Sequence, residues 1–202
     1  MGNYEPGQDR DVAALSILFM CDGFLKYMTR EEKYMKLALK EARKAELIDE
    51  VPIGCVIVKD DKVISRGFNH RESKRMIISH AEIEAINKAN KKLGAWRLED
   101  CEIYVTVEPC IMCAGAIIQG RFKRVIYGTE DYRGGAFGSS IDVLTATDIN
   151  HHPEVVGGIL KEECSSLISE YFRKKRELKR ENLDFNSKFF TIYVCTIHAK
   201  HF

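Results

Sequence analysis

The chain has 202 residues, of which 45% are hydrophobic and 30% charged, with a formal net charge of +1. That length suits one substantial core, and the near-neutral charge excludes a wholly basic nucleic-acid binder while leaving room for local basic patches. Seven cysteines, odd in number and irregular in spacing, argue against a secreted disulfide framework and for a reducing cytoplasm.

Residues 1–27 open with Gly2, Pro6 and Gly7 and show no clear period, so residues 1–28 are expected to be an N-terminal extension. Val12 to Met20 is apolar behind Arg10, but it is too short to span a bilayer and no small-residue cleavage pattern closes it. It is therefore not expected to be a targeting segment. Thr29-Arg30-Glu31-Glu32 has the form of a capping box, and Met35, Ala38, Leu39, Ala42 and Ala45 follow at helical spacing. This predicts a helix over 30–47, with Met28 a natural domain start.

Ile53 to Val58 is a nearly continuous apolar run, the mark of a strand covered on both faces. Asp60-Asp61 turns the chain, and Val63 to Gly67 returns it as an antiparallel hairpin. Asn69 and His70 lie just past it, where polar residues can face a ligand, although His70 by itself reads as a surface residue. After a polar loop at 71–75, His80 opens a second helix with a buried stripe of Ala85, Ile86, Ala89 and Leu93, stopped by Gly94.

Ile103, Val105 and Val107 alternate with Glu102, Tyr104 and Thr106 as in a half-buried strand. That strand leads into Pro109-Cys110 at the start of a third helix, a place where Pro lacks only a hydrogen that would go unpaired. A fourth strand is expected over Arg124 to Gly128 and a fifth over Glu154 to Ile159. Between them Thr129 to Ser140, with Gly134, Gly135 and Gly138, is a mobile or tightly turned loop, either a plain connection or one whose Asp131 and Arg133 line a site. A final amphipathic helix over about 161–179 turns Cys164, Leu167, Ile168 and Tyr171 inward. Its basic end, Arg173-Lys174-Lys175-Arg176, is either a solvated face or a phosphate contact, with Tyr171 and Phe172 available to stack on a base. Residues 181–202 form a tail with a strand-like run from Phe189 to Ile197.

The chemistry concentrates in Glu108-Pro109-Cys110-Ile111-Met112-Cys113, read with His80-Ala81-Glu82. Two thiols three positions apart lie on one face of a helix or inside one tight turn and can grip one ion, and an imidazole would make a third ligand. A three-ligand set leaves a position for water, which marks catalytic rather than structural zinc. Helix N–H groups and the dipole there favour thiolates. Glu82 diverges from His80 on a helix, which suits a proton carrier better than a further ligand. A redox pair, half of a structural zinc knuckle, and two buried small residues stand as alternatives for the cysteines.

His-x-Glu with Pro-Cys-x-x-Cys matches the known signature of zinc-dependent nucleobase deaminases. The chain resembles the cytidine/deoxycytidylate deaminase superfamily. More narrowly it is similar to the bacterial tRNA-specific adenosine deaminases in Val51-Pro52-Ile53-Gly54, Asn69, His80-Ala81-Glu82, Trp96-Arg97-Leu98 and Tyr104 through Gly115. Asn150-His151 and Tyr171-Phe172-Arg173 also match. The resemblance covers 29–180 and implies an α/β fold, a three-layer α/β/α sandwich around a central mixed five-stranded sheet, as in cytidine deaminases. It implies a cytoplasmic homodimer, not a membrane protein, that binds the tRNA anticodon stem-loop across its interface. Each subunit would carry one zinc ion and convert the wobble adenosine to inosine by hydrolysis.

By the same resemblance His80, Cys110 and Cys113 hold zinc and Glu82 shuttles protons. Asn69, Ile53 and the backbone of Ala81 hold the extruded base, and Asp131 and Phe172 contact neighbouring nucleotides. Glu130-Asp131-Tyr132-Arg133 departs from the family's wording. Two rivals are a deaminase of free bases or nucleosides, against which the basic helix and Phe172 speak, and a zinc-braced RNA-binding scaffold, against which Glu82 speaks.

Overall fold

The structure, a computed structural model, describes residues 28–198, with side chains through residue 181. The expected N-terminal extension and its Val12 to Met20 run therefore lie outside the described residues, apart from Met28.

Helix α1 (Arg30–Leu47) begins at the capping box expected of it: Thr29 accepts from the Glu32 N–H and the Glu32 carboxylate accepts from the Thr29 N–H. Strand β1 (Gly54–Lys59) and β2 (Lys62–Phe68) form the antiparallel hairpin, turned by Asp60 and Asp61 at φ of 48° and 56°. Residues Arg71–Lys74 form a short helix, α2, where a plain loop was expected. Its C-cap Arg75 adopts a left-handed conformation. Helix α3 (Ala81–Leu93) is stopped by Gly94 at φ 65°, and strand β3 (Glu102–Val107), helix α4 (Ile111–Gln119) and strand β4 (Arg124–Thr129) follow. A 3-10 turn at Val143–Thr145, strand β5 (Glu154–Val156) and helix α5 (Lys161–His198) complete the described chain.

The five strands lie in the order β2-β1-β3-β4-β5. β1 runs antiparallel to β2 and β3, whereas β3, β4 and β5 are parallel, so the sheet is mixed. Successive side chains of a strand point to opposite faces. Cys55, Ile57, Ile103, Val105, Val125 and Tyr127 pack in one core with Ala81, Ala85, Ala114 and Ile117 of α3 and α4. The alternate residues Val56, Val58, Tyr104 and Ile126 pack in a second core with Met35, Ala38 and Ala42 of α1 and Cys164 and Leu167 of α5. Helices therefore cover both faces, which makes three layers.

That arrangement corrects four expectations. β3 is not half-buried: as the middle strand it buries Tyr104 and Thr106 as fully as Ile103 and Val105. Leu93 is 38% exposed: helical spacing keeps it in line with Ile86 and Ala89, but the last turn of α3 lies beyond the part of the helix that the core covers. Pro109 precedes the N-cap Cys110 instead of opening the helix itself. The expected helix over 161–179 continues to His198 as part of α5, through the run from Phe189 to Ile197 that read as a strand. Extending an existing helix adds one hydrogen bond per residue without a new nucleus, whereas an isolated strand leaves its backbone unpaired.

Candidate functional site

His80 is the N-cap of α3 and Cys110 the N-cap of α4, and neither side chain caps its own helix. β1 is antiparallel to β3, so Ile53 at its start lies by the end of β3, and the Gly54 N–H donates to Thr106 Oγ1 at 3.2 Å. Gly67 of β2 lets α3 approach: a Cβ there would stand 2.2 Å from the Ala81 carbonyl and 2.6 Å from the Ala85 nitrogen. Any side chain at 67 would push the N-terminus of α3 away from the sheet.

These placements bring His80, Cys110 and Cys113 together. Nδ1 of His80 lies 3.6 Å from each sulfur, and the three ligand atoms all fall within 4.8 Å of one another. Among the described residues no other group of His, Cys, Asp or Glu has this geometry. One imidazole and two thiols are soft donors suited to a transition-metal dication. Hydrogen bonds from Cys113 and His80 hold the Cys110 thiol down at about 4 against its burial, and the hydrogen bond to Cys110 raises His80. Cys113 is pushed far up, first by its bond to Cys110 and then by burial. The two sulfurs compete for one negative charge, and a cation held between them would favour both as thiolates.

Glu82 is 4% exposed and stands outside the three-ligand group. Burial pushes its carboxyl up, and the Cys110 charge adds to this against its own backbone N–H, His80 and Cys113. Asn69 is buried. Its N–H donates to the Ile53 carbonyl at 3.1 Å, and the next residue's N–H donates to Ser79 beside His80 at 2.9 Å. Ala81 is the first residue of α3, where a helix has N–H groups without intrahelical partners. Ile53, Asp131 and Phe172 meet on a cleft of about 320 Å³ with Val51, Val107 and Arg133. It adjoins a second cleft of about 520 Å³ to which Tyr132 and Arg176 contribute.

Two buried acids to which the sequence reading assigned no role organise this surface. Glu108 is 3% exposed and accepts from the N–H groups of Asp131 at 3.1 Å, Phe137 at 2.8 Å and Ser139 at 3.2 Å. Gly135 leaves room for it, since a Cβ there would meet its Oε2 at 2.3 Å. The glycine loop is thus tightly turned and pinned. Glu50 is fully buried and accepts from Asn69 and from the Ser73 N–H. The only linear signal for either was an acid beside apolar residues and a proline.

The basic end of α5 divides. Lys174 pairs with Glu46 at 3.0 Å, Lys175 with Asp49 and Arg173 with Glu177, while Arg176 faces the cleft. Tyr171 is buried with its hydroxyl on the Asp49 carbonyl at 2.9 Å, so of the two aromatics only Phe172, 43% exposed, is free to stack. His70 packs its ring on Phe68 at 4.2 Å and takes no part in the three-ligand group. His151 bonds the Phe122 carbonyl at 2.6 Å, a structural latch.

The family model for MafB19-like deaminases matches residues 29–176. The tRNA-specific adenosine deaminase of Bacillus subtilis (strain 168) is 47% identical over 159 residues, 77% of this chain and 99% of that protein. That of Streptococcus pyogenes serotype M18 is 44% identical over 159 residues, 78% of this chain and 100% of that protein. A solved structure described in a study of A-to-I editing by tRNA:A34 deaminases at the wobble position superimposes with a TM-score of 0.65. It is 41% identical and covers 67% of this chain and 98% of its own.

Proposed function

The chain belongs to the MafB19-like deaminases and, with its relatives, to the tRNA-specific adenosine deaminases, and from that premise we propose how its residues carry the reaction. The protein is a hydrolase that converts adenosine to inosine at the wobble position of a tRNA anticodon. The observation that carries this reading is the three-donor group with a buried, unligated carboxylate two positions from His80.

The donor set fits zinc: bonds of about 2.3 Å to sulfur and about 2.0–2.1 Å to nitrogen at tetrahedral angles separate N from S by about 3.5–3.6 Å. The His80 nitrogen stands at that distance from both sulfurs. His80, Cys110 and Cys113 would hold zinc, whose Lewis acidity would bring a water's pKa down toward ~7. Glu82 takes one proton of the attacking water and passes it to N1 of the adenine ring; it then carries the remaining hydroxyl proton from the oxygen on C6 to the amino group, which leaves as ammonia. Its burial favours the protonated form that such a shuttle must adopt.

Asn69, Ile53 and the N–H of Ala81 hold the extruded base, and Asp131 and Phe172 hold its neighbours. The support is that Ile53, Asp131 and Phe172 share one cleft, that Asn69 is bonded to Ile53, and that Ala81 opens α3 beside His80. The catalytic domain is 29–180, in keeping with the family match over 29–176, with 1–28 and 181–202 as appendages. The working form is a cytoplasmic homodimer. Met76, Ile77 and Ile78 before His80, and Ile111 after Cys110, are 46%, 80%, 51% and 61% exposed, an apolar rim that a second copy would cover. No described helix is long and apolar enough to cross a membrane.

Sequencing the anticodon after incubating tRNA with purified protein tests the activity: inosine at the wobble position is expected. Free adenosine deaminated as fast as the stem-loop would overturn the tRNA assignment.

A further inference from the structure

Glu50 is fully buried between the end of α1 and the start of β1, yet the reaction described above gives it no task. Its two oxygens are both engaged. Oε1 accepts from the Ser73 N–H at 2.6 Å, and Oε2 accepts from Nδ2 of Asn69 at 3.1 Å. A carboxylate only accepts, so the Asn69 amide has one admissible orientation. Its NH2 group faces Glu50, and Oδ1 faces the other way.

Burial opposes a charge on Glu50, but the hydrogen bonds from Ser73 and the Glu72 peptide, with the nearby His70, outweigh it and hold the carboxyl below the usual range. The backbone fixes Asn69 as well, through the Ile53 carbonyl on one side and the His70–Ser79 bond on the other. Without Glu50 the amide could present either end.

We propose that Glu50 is a positioning residue for substrate choice: it locks Asn69 so that Oδ1 is offered to the target nucleotide as an acceptor. A nucleotide group that donates an N–H or O–H is then selected at that point, and one that only accepts is rejected. This rests on the reading that Asn69 meets the substrate.

The arrangement predicts a reciprocal exchange. In Glu50→Gln the single remaining oxygen goes to the Ser73 N–H, and the new NH2 group faces Asn69 and turns its amide round. In Asn69→Asp two carboxylates oppose each other. Combined, the Gln NH2 donates to one Asp oxygen, and the other oxygen again faces the substrate as an acceptor.

The test compares Asn69→Ala, Glu50→Gln, Asn69→Asp and the double variant as zinc-loaded enzymes on an anticodon stem-loop, with metal content and Tm recorded. Each single variant should lose about 10–100-fold in kcat/KM at full zinc content, as expected for a buried polar group left mispaired. The double variant should return to within about fivefold of the parent. Parent-like kcat/KM in Glu50→Gln, or a double variant no better than the poorer single, would overturn the proposal. So would a double variant that regains Tm without regaining kcat/KM, since that marks a merely structural role. Parent-like Asn69→Ala would instead remove the underlying reading that Asn69 meets the base. With 2′-deoxyadenosine at the target position, the Glu50→Gln loss persists if the donor is the base amine and vanishes if it is the ribose hydroxyl.

Discussion

Glu82 and Glu108 are both acids beside the three-ligand group, and their surroundings give them opposite work. Glu82 is buried with its charge opposed, so it can gain and lose a proton, and it stands outside the metal ligands. Glu82→Ala should keep one metal ion per chain while turnover falls by about 10²–10⁴. Metal analysis beside a single-turnover assay checks this, and metal lost along with activity would contradict the assigned role. Glu108 instead accepts three backbone hydrogen bonds and never needs to release them. Glu108→Gln has one acceptor oxygen in place of two and leaves a loop N–H facing an amide. Urea unfolding should report a loss of about 1–3 kcal/mol. Activity should fall further than stability alone explains, because Asp131 rides on that loop.

At the scale of elements, the site exists because two helix N-termini meet at one end of the sheet. The loop that joins β2 to α3 presents His80, and the turn after β3 presents Cys110. Each helix offers unpaired N–H groups and the positive end of its dipole, which favours thiolate and water-derived anions there. α5 contributes differently: its first two turns seal the second core through Cys164 and Leu167, and the turns that follow carry Phe172 and Arg176 to the cleft. Salt dependence of tRNA binding separates the basic residues. Arg176→Ala should lower the slope of log K against log salt by about 1, whereas Lys174→Ala should change it less, since Glu46 already pairs with that charge. Equal slopes for the two variants would count against Arg176 as a phosphate contact.

Across the whole molecule, the end of the sheet away from the site is tied by charges. Glu102 of β3 receives Arg30 of α1 at 2.6 Å and Tyr104 at 2.8 Å, and Arg124 of β4 stands 3.7 Å away. Burial raises the Glu102 carboxyl, but Arg30 and Tyr104 outweigh it and hold it below the ordinary value. A carboxyl with a lowered folded pKa adds stability that is present above its unfolded pKa and lost as pH falls through the folded one. Tm should therefore drop on acidification below about pH 4.5, and Glu102→Gln should flatten that acid limb while lowering Tm at neutral pH. An unchanged acid limb in the variant would remove Glu102 from the account.

The linear chain was enough for features that depend on neighbours in sequence. The capping box at Thr29 and Glu32, the hairpin turned at Asp60-Asp61, the Gly94 stop and the Cys110–Cys113 spacing all rest on local geometry that residue type dictates, while His80 joined the pair through the family motif. What tertiary structure alone decided depends on partners far apart in the chain. Nothing local distinguishes a half-covered strand from a central one, so the burial of Tyr104 and Thr106 followed from the sheet order. The tasks of Glu50 and Glu108 likewise appeared only when Asn69, Ser73 and the Asp131 loop folded onto them. A carboxylate's role is set by the donors that reach it, and those donors come from elsewhere in the fold.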